Sequence, residues 1–166
     1  MTMWGARGLA AVLAVLAVAA CGAGRDGAGD GAVSADLYPG ETPQMRALVQ
    51  RYAQIHDIPE PLLHRVIQRE SDYRADARNG PYYGLMQILP QTAGTMGFEG
   101  PPERLLDPEV NLTYAGRYLR GAWLVSDGDI DEAVMWYARG YYFEARDRCL
   151  LVETGLNDRE IARHCR

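Results

Sequence analysis

The sequence predicts an all-α domain, and three observations carry that expectation. Successive segments repeat their apolar residues at helical spacing. No stretch shows sustained polar-apolar alternation bounded by hairpin turns. Pro and Gly fall where helices start and stop. At 166 residues, with 48% of them apolar, the chain can bury one core of ordinary size but not two. No internal repeat is visible. The formal charge of -5 gives no electrostatic footprint for nucleic acid, which is not expected as a partner. All basic residues are Arg and none is Lys, a composition bias that discriminates nothing about function.

The elements follow in order. Residues 1–20 read as a signal peptide: a short start with one Arg precedes an uninterrupted apolar run from Leu9 to Ala20. That run, at about twelve residues, is too short to span a bilayer comfortably. It ends Val18-Ala19-Ala20-Cys21, which resembles the bacterial lipobox, so Cys21 is expected to be lipidated and to become the new N-terminus. Residues 21–41 are Gly-rich and lack periodic apolar residues, the composition of a flexible tether.

The folded domain is expected over 42–166. Pro43 to Asp57 carries Met45, Leu48, Val49, Tyr52 and Ile55 at helical spacing behind a Thr42-Pro43 start. Pro59 to about Tyr73 is a second helix. A loop with Gly and Asn follows, with room for a minor β-tongue between Asn79 and Gly84. A short helix starts near Pro90 and stops at Gly94 to Gly97. After the Gly100-Pro101-Pro102 connector, Asn111 to about Leu124 and Ile130 to about Asp147 read as two amphipathic helices. Asn157 is placed to cap a last one. With Cys21 lipidated, Cys149 and Cys165 remain as a pair in an oxidising compartment, where a disulfide is the default.

One residue of the second helix breaks the pattern. Glu70 continues the apolar stripe of Leu62, Leu63, Val66 and Ile67. A carboxylate there faces desolvation, which raises its pKa and prepares a general acid. A surface ion pair to Arg74, four residues on, is the competing explanation. No second carboxylate is suitably placed for ordinary glycoside hydrolysis, which needs two acids. Asp72, two residues beyond Glu70, faces away from it on a helix. His56, His64 and His164 are too scattered for a metal site, and no cofactor is expected.

Glu70-Ser71, a downstream turn, Gly84-Leu85-Met86-Gln87-Ile88, and then Pro90 with Thr92-Ala93 resemble the catalytic core of the lytic transglycosylases related to soluble lytic transglycosylase. The likeness continues through Leu105 to Leu119 and more weakly into Ala133 to Tyr142. It implies a lysozyme-like fold and a peptidoglycan glycan strand as substrate. It further implies that Glu70 is the catalytic acid/base and that Ser71 helps hold the substrate or orient Glu70. Gly84, Leu85, Met86 and Gln87 would form one cleft wall, with Met86 against a sugar face and Gln87 supporting the wall. Tyr137 would sit near the glutamate.

Cleavage of the MurNAc-GlcNAc β-1,4 bond would leave 1,6-anhydro-MurNAc ends. The protein would work in the cell envelope, lipid-anchored to a membrane and facing the wall. The chain departs from the family pattern in three places. The loop before Gly84 is about one residue short and carries Pro81-Tyr82-Tyr83, Ala115 stands for a Gly, and Tyr137-Ala138-Arg139-Gly140 lacks the usual Asn. The alternatives are a lysozyme-like hydrolase, or a catalytically weak glycan-binding or scaffold lipoprotein.

Overall fold

The computed structural model describes residues 36–165. The signal peptide, the lipidation site Cys21 and most of the tether lie outside these residues. Helices dominate: α1 (Pro43–Ile55), α2 (Glu60–Ser71), α3 (Pro90–Thr95), α4 (Pro108–Val125), α5 (Ile130–Arg139) and α6 (Tyr142–Asp147). The first five have a local reason to begin. Thr42 caps α1, Asp107 caps α4 and Asp129 caps α5, each through its side-chain oxygen, and Pro occupies the first turn of α1 to α4. No helix among the described residues is long and apolar enough to cross a membrane.

The β-tongue is present as a two-stranded antiparallel hairpin, β1 (Arg78–Asn79) and β2 (Tyr82–Tyr83), turning through Gly80-Pro81. An isolated bridge from Tyr83 to Ile88 closes the next loop onto it. The core forms where α1, α2, α4 and α5 pack together, around Leu62, Leu63, Ile67, Leu112 and Leu119, none of them exposed. Burying side chains of this size contributes about 1.5–3 kcal/mol each.

Two expectations about elements are corrected. The predicted helix from Ile130 to Asp147 is broken at Gly140, whose φ of 82° only Gly adopts freely, and the chain restarts as α6. The break lets Tyr141 pack against Gly121 and donate its hydroxyl to the Tyr118 carbonyl at 2.8 Å. No helix begins at Asn157. Its Oδ1 accepts from the Asp158 amide in a local turn, and Ile161 remains exposed, so no apolar face is available to bury a helix. Only a 3-10 turn, Arg163–Cys165, forms before the chain end. It carries Cys165 to a disulfide with Cys149, Cα–Cα 5.5 Å, as the residue pairing leads one to expect.

Residues ahead of Thr42 also pack on the domain. Glu41 is buried and holds Arg46 through both carboxylate oxygens, at 2.7 and 2.6 Å, while accepting from the Tyr38 amide at 2.9 Å. Gly40 lies against the Asp72 carbonyl, where a Cβ would stand at 2.7 Å. The last residues assigned to the tether are thus docked beside the C-terminal end of α2.

Candidate active site

Glu70 lies in the last turn of α2, on the side that the tongue and α5 enclose. A recess of about 320 Å³ in front of it is lined by Arg69, Glu70, Asn79, Tyr82, Gln87 and Tyr137. Two further recesses share walls with this one. The first, of about 280 Å³, runs between Glu70, Arg74, Arg78 and Gln87. The second, also about 280 Å³, runs past Tyr82, Gln87, Thr92, Tyr118, Tyr137 and Arg139. Together they form a groove that passes Glu70 on both sides. Among the described residues lining it, Glu70 is the only carboxylate.

The electrostatics suit an acid. Burial of the Glu70 carboxyl raises its pKa, and Arg69, Nε to Oε1 3.6 Å, draws it back only partly. Position at the negative end of a helix also disfavours the charged form. The ion pair weighed from the sequence is not made: Arg74 donates instead to the Ser71 carbonyl at 3.0 Å. Asp72 is the exposed left-handed cap of α2.

The wall opposite Glu70 is held from behind. Ser71 is buried, and its hydroxyl donates to the Leu85 carbonyl at 2.7 Å. Of the two roles expected for Ser71, holding the substrate does not fit a buried hydroxyl; the residue ties α2, beside Glu70, to the turn that follows the tongue. Leu85 and Met86 have no exposed surface, so neither reaches a sugar. Both pack into the core with Ile88, while Gln87 between them, also buried, turns its amide to the groove side. Met86 instead offers its carbonyl to the Tyr137 hydroxyl at 2.8 Å. Gln87 donates through Nε2 to the carbonyls of Ala77 at 3.0 Å and Gly84 at 2.8 Å, which joins the turn to the tongue.

Tyr137 sits in the groove wall beside Glu70, and burial foremost, then the nearby Glu70 charge, pushes its phenol well up, so it stays protonated. Gly84 lines none of the recesses described. It adopts φ 74°, and a Cβ there would stand 2.9 Å from the Asn111 Cγ and strike the Leu105 carbonyl. Backbone strain gathers around the site: Asp72, Tyr73 and Gln87 all have positive φ, at 53°, 63° and 47°.

Asn111 is the residue that reasoning from the sequence missed. Fully buried on α4, it accepts from the Met86 amide at 3.0 Å and donates to the carbonyls of Tyr83 at 2.9 Å and Leu105 at 2.8 Å. The signal was available in the Asp-Pro-x-x-Asn stretch, where an amide interrupts an apolar face. Gly116 and Gly121 make close approaches on α4, where a Cβ would strike the rings of His56 and Tyr141.

Among the described residues the one cluster with metal-binding side chains is Cys149, His164 and Cys165, whose two thiols are consumed by the disulfide. It lies outside the groove. A family model described as Transglycosylase SLT domain matches residues 47–148. No solved structure shows a significant match to the chain.

Proposed function

The chain belongs to the transglycosylase SLT domain family, with its lysozyme-like fold and its lytic transglycosylase type of action on peptidoglycan. From that premise we propose that it cleaves the MurNAc-GlcNAc β-1,4 bond without water, using Glu70 alone. The observation that carries this reading is the single carboxylate of the groove. Hydrolysis by the usual routes needs a second acid, as base for water or as nucleophile. A transglycosylase needs one acid used twice.

In the first half of the reaction, protonated Glu70 gives its proton to the glycosidic oxygen, which leaves as the C4 hydroxyl of GlcNAc. The acetamido oxygen of MurNAc takes the vacated bond at C1, forming an oxazolinium. In the second half, ionised Glu70 takes the proton of the C6 hydroxyl while that oxygen attacks C1 and releases the acetamido group. The 1,6-anhydro ring closes and Glu70 is protonated again, so every atom is accounted for and no water enters. Burial of Glu70 supports the first half, and the absence of a strong ion pair supports the second.

The peptide backbone around the groove is rigidly bonded, which suits a site that must position one acid on two oxygens in turn. Lipidation at Cys21 and residence in the cell envelope belong to the same reading. A tether over 21–35, continued by the docked Asp36–Glu41, would let the domain reach the wall from its membrane.

The test compares wall clearing by the purified protein and by its Glu70→Gln and Glu70→Asp variants. Loss of about three orders of magnitude or more in the Gln variant is expected for a sole acid/base. Equal clearing by wild type and Glu70→Gln, or none by either, refutes the catalytic assignment. Clearing by neither with retained strand binding would mark a glycan-binding protein instead.

A further inference from the structure

Beside the groove, α2 and α5 leave a shallow shelf of about 390 Å³ lined by Arg65, Arg69, Asp131, Met135, Ala138 and Arg139. Arg69 and Ala138 also line the Glu70 recess, and Ala138 and Arg139 line the next one, so the shelf opens directly onto the groove. Its charge is opposite to that of the molecule, which carries -5 overall. Arg65 is neutralised by an ion pair with Asp131 across the shelf. Arg69 stands near Glu70. Arg139 has no carboxylate partner among the described residues. Its guanidinium reaches only the Met135 sulfur at 3.5 Å and the Trp136 ring at 6.0 Å. A cation without an ion-pair partner at the mouth of a substrate groove is free to take an anion from the substrate.

We propose that this shelf binds the stem peptide of peptidoglycan through its carboxylates, with Arg139 as the principal contact and Arg69 as the second. The inference rests on the transglycosylase reading and adds substrate specificity to it. The chemistry of the strand supplies the anion. MurNAc carries a short acidic peptide on its lactyl ether, so a glycan lying along the groove projects carboxylates sideways from a sugar next to Glu70. The planar guanidinium of Arg139 can donate two parallel hydrogen bonds to such a carboxylate. Ala138 between them is small enough to leave the passage from groove to shelf open. The same two residues are where the chain departs from the family pattern, so the departure is read as specificity rather than decay.

The experiment measures kcat/KM on peptide-bearing wall and on the same wall stripped of peptides by an amidase, with the lactyl carboxylates that the cut exposes capped as methylamides. Wild type is expected to prefer the peptide-bearing strands. Arg139→Gln should lower the ratio of the two rates about fivefold, the size of one exposed charge contact. Arg139→Lys should keep most of it. Asp131→Asn, which frees Arg65, should raise the ratio. No wild-type preference, or a ratio in Arg139→Gln within about twofold of wild type, overturns the proposal.

Sedimentation binding of both strand types to Glu70→Gln, with and without Arg139→Gln, gives the same ratio without turnover. If Glu70→Gln cleaves like wild type, the transglycosylase reading fails while the binding ratio still decides the shelf.

Discussion

Replacing Asn111 with Ala removes three hydrogen bonds at once and leaves the Met86 amide and the Leu105 carbonyl without a partner, while the Tyr83 carbonyl keeps the Ile88 amide at 3.1 Å. The Met86 amide and the Tyr83 and Leu105 carbonyls are all bonded to this one side chain, at 3.0, 2.9 and 2.8 Å. A buried polar group stripped of its partner costs about 1–3 kcal/mol. Partial relaxation, helped by space for a water where the amide stood, keeps the sum below the full total. A loss of about 2–4 kcal/mol is expected, against a whole-domain stability of about 5–15 kcal/mol.

Urea unfolding followed by tryptophan fluorescence measures it, since Trp123 and Trp136 lie on α4 and α5. The midpoint should fall while the denaturant slope stays unchanged. Catalysis should suffer as well, because Met86 and Gln87 belong to the wall that Asn111 holds. Measured at a temperature where the variant remains folded, kcat should drop. A stability loss under about 1 kcal/mol would refute the view that this amide organises the wall.

Four other outcomes are expected. The raised pKa of Glu70 means its proton is held more tightly in the folded than in the unfolded chain. That stabilisation is present below the unfolded value and is lost as pH rises through the folded one. Glu70→Gln should therefore raise the melting temperature near neutral pH but not below about pH 4, and an equal gap at both would contradict it. Glu41→Gln should cost about 3–5 kcal/mol by leaving Arg46 buried without its partner, and the double variant Glu41→Met with Arg46→Leu should recover most of the loss in thermal melts. Reducing the Cys149–Cys165 bridge should cost about 3 kcal/mol and open the chain beyond Asn157 to proteolysis, while wall clearing persists in what remains folded. Ser71→Ala should lower kcat more than it raises KM, since the hydroxyl bonds the Leu85 carbonyl rather than a sugar; a change in KM alone would restore the substrate-holding role.

Why some of this was legible in advance is physical. Helix starts are local events: Thr42-Pro43 and the other helix-opening prolines were read directly, although the Asp107-Pro108 start of α4 was passed over for Asn111, and the apolar stripe of α2 announced Glu70 as an anomaly. The tongue was left open because two residues per strand are too few to show a period. What escaped was tertiary. Nothing local says that Ser71 turns inward to Leu85, that Met86 is consumed by the core, or that Asn111 gathers three backbone groups from two other segments. The missing α-helix at Asn157 followed from trusting a cap residue without an apolar face behind it. Glu41 fell to the tether because the domain was started at the Thr42-Pro43 helix entry, yet it is the buried partner of Arg46.

The central claim, one acid and no water, is tested most directly by digesting wall in water enriched in heavy oxygen and weighing the products. The account predicts muropeptides ending in 1,6-anhydro-MurNAc, one water lighter than hydrolysis products and free of heavy oxygen. It also predicts their disappearance in Glu70→Gln. Reducing ends that carry heavy oxygen would contradict it and make the enzyme a hydrolase.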